Sequence, residues 1–150
     1  MSVFLVRHAH AGDRERWEGD DRARPLTKKG RKQALGIAEQ LKPLGVRRLV
    51  SSPYVRCLET LEPLAKDLGL KIERDERLAE GAGLQALDLA REVGEGAALS
   101  THGDICVDVL SYLARQGVLR GDFDAPKAST WVLELNGDRF VGARYLSAPQ

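Results

Sequence analysis

Four short runs of apolar residues predict buried strands along the first two thirds of the chain. Residues 3–6 (VFLV) and 97–101 (AALST) are continuous and rich in β-forming side chains, which is typical of strands covered on both faces. Residues 48–51 (RLVS) and 70–75 (LKIERD) are weaker examples of the same pattern. Each run is followed by apolar positions at helical spacing, so strands and helices are predicted to alternate.

Local signals set the expected helix boundaries. Thr27 is a suitable N-cap for a helix from about Lys28, and Ser52-Pro53 reads as a capping hydroxyl followed by proline at the first helical position. Pro63 inside the second helix predicts a bend, and Gly94 ends the third helix. A fourth helix follows His102-Gly103-Asp104.

The two ends of the pattern complete the predicted architecture. Residues 12–26 are charged and aperiodic, which indicates a loop, whereas 129–146 form two strands around Asn136-Gly137, a strong hairpin signal. We therefore expect one domain over residues 1–150, with an α/β fold. Its form would be a three-layer α/β/α sandwich with a mainly parallel central sheet and a C-terminal antiparallel hairpin.

Composition narrows the class of partner. The 150 residues carry 23 Lys and Arg against 22 Asp and Glu, a formal net charge of +1, which gives no general electrostatic case for nucleic acid or an anionic membrane. The chain has two scattered cysteines, no apolar run of membrane-spanning length and no visible signal peptide. We expect a cytoplasmic protein, with a monomer as the simpler state.

Polar side chains follow the strand ends. Arg7 and His8 end the first strand, Arg56 lies in the first turn after the second, Glu80 follows the third, and His102 ends the fourth. Ligands of open parallel sheets bind beyond the carboxyl ends of the strands, so these five residues are expected to gather there. Two arginines and two histidines with a single acid suit a bound dianion such as a phosphoryl group. A histidine within that set can act as a covalent nucleophile.

The segments that carry these residues resemble a known family. LVRHAHA (5–11), LVSSPYVRCLET (49–60), RLAEG (77–81) and LSTHGD (99–104) are similar, in order, to the four motif segments of the histidine phosphatase (phosphoglycerate mutase-like) superfamily. RPLTKKGRKQA (24–34) also resembles that family. The compact length is most similar to the SixA-type phosphohistidine phosphatase branch.

The resemblance implies a role for each matched residue. His8 would be the nucleophile that is transiently phosphorylated, and Arg7 and Arg56 would clamp the phosphate. His102 would hold phosphoryl oxygens and stabilise the charge of the transition state. Glu80 would be the general acid that protonates the leaving group. No metal ion and no cofactor are implied.

The sequence defines the substrate less closely than it defines the type of reaction. A phosphorylated protein bearing phosphohistidine is the first expectation, and a small phosphate ester or a nucleoside di- or triphosphate is the alternative. SixA-type proteins do not always keep an acid at the position of Glu80, and a phosphoramidate nitrogen needs less help to leave than a poor oxygen leaving group. Glu80 therefore extends the expected substrates towards phosphate esters.

The sequence is also compatible with two other functions. A metallohydrolase would use His8, His10, His102 and Asp104, although Arg7 would place positive charge beside the metal. A non-catalytic phosphate-binding module on the same fold is the other.

Some residues near the expected site have no assigned role. Asp104 competes with Glu80 as general acid, but we favour a role for it at the helix N-terminus. Trp17, with Asp20 and Asp21, could gate the substrate, and Lys127 and Ser129 could reach the pocket. For each of these, an ordinary loop or turn explains the sequence equally well.

Overall fold

A central six-stranded sheet organises the computed structural model, which describes residues 1–150. The order across the sheet is β3-β2-β4-β1-β5-β6. The first four strands in the chain pair in parallel, β5 is antiparallel to β1, and β6 is antiparallel to β5. The expected parallel sheet with an antiparallel hairpin is confirmed. The strands are β1 (Ser2–Arg7), β2 (Arg48–Ser51), β3 (Ile72–Arg74), β4 (Ala97–Thr101), β5 (Thr130–Asn136) and β6 (Arg139–Leu146).

Four α-helices cover the two faces of the sheet. Along β1, Val3 and Leu5 pack with the apolar residues of α3 and α4, whereas Phe4 and Val6 pack with those of α1 and α2. Successive side chains of a strand point to opposite faces, so this alternation makes the predicted three-layer sandwich. No helix is both long and apolar enough to cross a membrane. The helices are α1 (Lys28–Leu41), α2 (Val55–Leu68), α3 (Gln85–Val93) and α4 (Gly103–Arg115).

The expected boundaries hold at α1 and shift at α2. The hydroxyl of Thr27 accepts a hydrogen bond from the Gly30 N–H at 3.1 Å, as an N-cap does. At α2 the N-cap is Tyr54, so the helix begins after Pro53 and not at it. The Ser52 hydroxyl accepts a hydrogen bond from the Tyr54 N–H at 3.3 Å and is also hydrogen-bonded to Nε2 of His102 at 2.8 Å. The second bond ties Ser52 to the residue that follows β4, and Ser52 is not the N-cap of α2.

The segment expected to be a plain loop contains regular structure. Residues 12–26 include two short 3₁₀ turns, Arg14–Arg16 and Asp21–Ala23. The side chains of Asp13 and Asp20 cap these turns by accepting backbone N–H bonds two residues ahead. Such capped turns hold the segment in one conformation beside the end of β1.

The three central strands end level with one another. Arg7 of β1 pairs with Thr101 of β4, and Ser51 of β2 pairs with Ser100 of β4. The ladder continues past the strand ends, since the His8 N–H donates to the Thr101 carbonyl at 2.9 Å. This register places the side chains that follow β1, β2 and β4 along one edge of the sheet.

Candidate active site

The five residues singled out in the sequence meet in one cleft at the carboxyl edge of the sheet. Arg7, His8, Arg56, Glu80 and His102 all line a cavity of about 700 Å³. The rings of His8 and His102 lie edge to face, with centroids 5.6 Å apart. Further lining residues include Arg14, Arg24, Gly103, Asp104 and Lys127.

The environment of His8 fixes its tautomer and its charge. Nδ1 lies 2.7 Å from the carbonyl oxygen of Ala9, which can only accept, so Nδ1 carries the proton. Nε2, which has no hydrogen bond to the protein, then keeps its lone pair. Burial lowers the pKa of His8 to about 3. The hydrogen bond to Ala9 opposes this change, whereas His102, Arg56 and Arg7 add to it. His8 is 6% exposed, and its ring is neutral at ordinary pH.

Arg7 lies against the start of α4, where the lack of a side chain at Gly103 leaves room for it. One terminal nitrogen donates to the Ala125 carbonyl at 2.7 Å, and Nε has no partner. A Cβ atom at Gly103 would lie 2.7 Å from the guanidinium carbon of Arg7, closer than real Cβ contacts allow. Glycine at this position lets the guanidinium lie beside the free N–H groups of the first turn of α4, which favour an anion.

Arg56 is the most deeply buried cation of the site and is matched by two acids. Its side chain is 1% exposed. Nη2 donates to the carboxylates of Glu80 at 2.7 Å and Asp21 at 3.1 Å, and Nη1 donates to the Asp21 carbonyl at 2.8 Å. The expectation from sequence, a cationic cluster with a single acid, is therefore wrong, because Asp21 reaches the site from the segment before α1.

A second arginine fixes Asp21 in place. Nε of Arg24 donates to Asp21 at 3.0 Å, and Nη1 of Arg24 donates to the carbonyls of Ala11 and Gly12 at 2.6 and 3.1 Å. Burial alone would raise the pKa of the Asp21 carboxyl, but the bond to Arg24 and the charge of Arg56 lower it overall. The charged Asp21 carboxylate thus balances part of the positive charge of Arg24 and Arg56.

Glu80 lies between two arginines and faces the second histidine. One carboxylate oxygen pairs with Arg14, and the other accepts from Arg56 and lies 3.7 Å from Nδ1 of His102. The Asp104 carboxylate accepts from the N–H of Gly81 at 2.8 Å. Asp104 therefore anchors the loop that carries Glu80. Asp104 also lies in the first turn of α4, where a negative charge favours the helix dipole as expected, although the N-cap itself is His102.

His102 is held from two sides. Its Nε2 shares a hydrogen bond of 2.8 Å with the Ser52 hydroxyl, and the ring of Tyr54 packs against it edge to face at 4.5 Å. Burial and the charge of Arg56 lower the pKa of His102 to about 4, against the opposing charges of Glu80 and Asp104. This ring is also neutral at ordinary pH.

Other residues considered in the sequence lie apart from the reaction centre. Nδ1 of His10 is 2.7 Å from the Thr27 hydroxyl, and the indole N–H of Trp17 donates to the Asp20 carbonyl. The Ser129 hydroxyl donates to a neighbouring carbonyl at 2.6 Å. No group of three or more His, Cys, Asp or Glu side chains is placed to hold a metal ion, so the donor set of the metallohydrolase hypothesis is not assembled.

Three cations of the cleft were not assigned from the sequence. Arg14 and Arg24 lie in the charged segment that was expected to be a loop, and Lys127 was considered only as a residue that could reach the pocket. The sequence carries a local signal for Arg24 only: Asp21 and Arg24 are three residues apart, a spacing that allows an ion pair across one turn.

Comparison with known proteins places the chain in a family. Residues 3–88 match the histidine phosphatase superfamily (branch 1). An 8-oxo-(d)GTP phosphatase of Mycolicibacterium smegmatis is 36% identical over 99% of this chain and 48% of its own length. A probable phosphoglycerate mutase of Cronobacter sakazakii is 33% identical over 53% of this chain and 38% of its own length. The chain thus spans about half or less of the length of these curated relatives.

Solved structures show the same fold at low identity. The protein histidine phosphatase SixA, solved with tungstate, superposes with a TM-score of 0.70 at 21% identity, covering 99% of this chain and 96% of that one. YhfR of Bacillus stearothermophilus gives a TM-score of 0.75 at 20% identity, with 93% of each chain covered. Together with the matched residues 3–88 and the cleft described above, this assigns the chain to the histidine phosphatase superfamily.

Proposed function

We propose that this chain is a metal-independent phosphatase that transfers a phosphoryl group to Nε2 of His8 and then to water. The observation that carries the proposal is the neutral His8 ring, whose Nδ1 proton is committed to Ala9 and whose Nε2 lone pair is free in a cleft flanked by Arg7 and Arg56. A neutral imidazole is a nucleophile, and adjacent guanidinium groups suit a phosphoryl dianion.

Binding requires an exchange of anions at Arg56. Without substrate, Glu80 occupies one donor of Arg56. A phosphoryl oxygen takes over that donor, while Arg7, His102 and the first N–H groups of α4 receive the other oxygens. The Glu80 carboxyl, still carried by the loop that Asp104 anchors, is then free to face the leaving group.

The reaction proceeds in two balanced steps. In the first, Nε2 of His8 bonds to phosphorus and the bond from phosphorus to the leaving oxygen breaks. Glu80, which takes up a proton from the substrate monoanion once it has left Arg56, gives that proton to the leaving oxygen. In the second, water attacks the phosphorus, Glu80 takes a proton from the water, and the P–N bond breaks to release inorganic phosphate and restore His8. Arg7, Arg56 and His102 stabilise the charge on the phosphoryl oxygens throughout.

A substrate with an oxygen leaving group fits this site best. Glu80 contacts Arg56 and lies beside His102, the position a proton donor to such a group needs. A small phosphorylated molecule, including a nucleotide, agrees with the name of the Mycolicibacterium smegmatis relative. The SixA likeness lies below 25% identity and supports the fold alone, so a phosphohistidine protein is the alternative substrate to be tested. A chain that binds phosphate but hydrolyses none of these would be a non-catalytic module.

Replacing the nucleophile tests the mechanism directly. We expect His8→Ala to lower kcat/KM for nitrophenyl phosphate, with EDTA present, by about a thousandfold or more, because no other group can accept the phosphoryl. An acid-labile phosphoenzyme should be trapped in wild type and be absent from the variant. His10→Ala is the matched control and should keep activity within about threefold, since His10 is bonded to Thr27 outside the reaction centre. Loss of wild-type activity in EDTA would contradict the proposal.

Histidine titration tests the neutral nucleophile. With pKa values lowered to about 3 for His8 and about 4 for His102, both rings should stay neutral from about pH 5 to 8. Nitrogen-detected NMR spectra should show the Nδ1-protonated form of His8 across that range. Unfolding releases both rings to bind protons near the ordinary value, so stability falls as pH drops below about 6.5, and less steeply in His8→Ala. A His8 midpoint near 6.5 would contradict the assignment.

Substituting Gly103 tests the placement of Arg7. Gly103→Ala should lower kcat/KM by about tenfold or more, because the new methyl group displaces the Arg7 guanidinium. The same change in an Arg7→Met background should cost little activity. Equal losses in both backgrounds would show that Gly103 acts independently of Arg7.

Leaving-group dependence tests Glu80. Glu80→Gln should lower kcat/KM by about a hundredfold for an alkyl phosphate but by less than about tenfold for nitrophenyl phosphate, whose leaving group needs little protonation. Glu76→Gln, on the exposed surface before the same loop, should leave both rates unchanged. Equal losses of kcat/KM on both substrates would show that Glu80 is not the proton donor. If Asp104→Asn lost more activity than Glu80→Gln, and lost it mainly on the alkyl phosphate, the proton donor would be Asp104.

A further inference from the structure

The segment that leads into β5 holds a lysine beside the reaction centre. Lys127 lines the same cleft as Arg7 and His8. The next residue, Ala128, is fully buried and is the one non-glycine residue with a left-handed backbone, at φ +68°. Its N–H donates to the carbonyls of both Arg7 and His8 at 3.1 Å. A strained conformation held by two bonds keeps the backbone that carries Lys127 beside the end of β1.

Lys127 and Arg7 differ from the other cations of the cleft in having no acid partner, and Arg7 instead donates to the Ala125 carbonyl. Arg14, Arg24 and Arg56 each pair with a carboxylate of Asp21 or Glu80. No hydrogen bond or ion pair joins the Lys127 ammonium to the protein.

The charges that most affect Lys127 are positive. Burial lowers the pKa of Lys127, and the charges of Arg7, Arg24, Arg56 and Lys29 lower it further. An unmatched ammonium among cations is unfavourable until an anion arrives.

The transferred phosphoryl group does not account for this lysine. Under the proposed function, Arg7, Arg56, His102 and the start of α4 already supply donors to its oxygens. The cleft of about 700 Å³ is also far larger than one phosphoryl group. The cleft therefore has volume beyond that of one phosphoryl group, and Lys127, just before β5, is a lining cation that the phosphoryl group does not use.

We propose that Lys127 binds a second anionic group of the substrate, adjacent to the phosphoryl group that His8 accepts. The substrate class is then a phosphoanhydride, in which the leaving group is itself a phosphate, in preference to a simple monoester. In the first step the P–O bond of the anhydride breaks, and the departing phosphate takes the electron pair while it is paired with Lys127. This inference rests on the proposed function and names its substrate class.

A pair of substrates that differ by one phosphate tests the inference. Lys127→Met should lower kcat/KM for phenyl diphosphate by about tenfold to a hundredfold, the range expected for a charge-assisted hydrogen bond, and change that for phenyl phosphate by less than about threefold. Lys127→Arg should restore most of the diphosphate activity. Lys32→Met, an exposed lysine on α1, should leave both rates unchanged.

The outcomes separate this inference from the proposed function. Equal losses on both substrates would assign Lys127 to the transferred phosphoryl group, and no loss on either would remove its role; both results overturn the inference. Binding measured by calorimetry with His8→Ala needs no turnover. Tighter binding of phenyl diphosphate than of phenyl phosphate, lost on adding Lys127→Met, would support the subsite even if wild type hydrolysed neither compound. Equal binding of the two compounds would overturn it.

Discussion

The buried guanidinium of Arg56 is the interaction on which the rest of the site depends. A cation that is 1% exposed is tolerated only when charged partners surround it. Its partners come from two separate segments, Asp21 before α1 and Glu80 before α3, so one side chain of α2 fixes the position of both. Removing either acid would leave the buried charge with a single carboxylate partner, which ties the geometry of the cleft to the stability of the fold.

This ion cluster also shows how most cations of the cleft are matched within the protein. Arg14, Arg24 and Arg56 each pair with a carboxylate of Asp21 or Glu80. Under the proposed mechanism, a phosphoryl oxygen replaces Glu80 at Arg56, so one ion pair replaces another and the donor itself stays in place. Donors fixed in advance are the form in which electrostatic stabilisation is most effective.

The sequence predicts the parts of this arrangement that follow from periodicity and topology. Arg7, His8 and His102 end apolar strands, and a parallel sheet brings strand ends together, so their meeting could be anticipated. Asp21 and Arg24 lie in an aperiodic charged segment, where their three-residue spacing allows an ion pair but does not distinguish a pair that folds into the site from a solvated one. The start of α2 was misplaced for a related reason: Ser52 looks like a cap, but its hydroxyl bonds to His102 across the sheet edge. Contacts between distant segments leave no local pattern.

Under the proposed mechanism, the surroundings of His8 have to keep the nucleophile neutral. A histidine with an ordinary pKa near 6.5, placed beside a phosphoryl dianion, would tend to gain a proton and form an ion pair, and an imidazolium has no lone pair for phosphorus. Burial is the largest influence that lowers the pKa of His8, and His102, Arg56 and Arg7 lower it further, against the bond to Ala9. The fold therefore keeps the Nε2 lone pair available chiefly by burying the ring, and the arginines proposed to hold the phosphoryl group add to this effect.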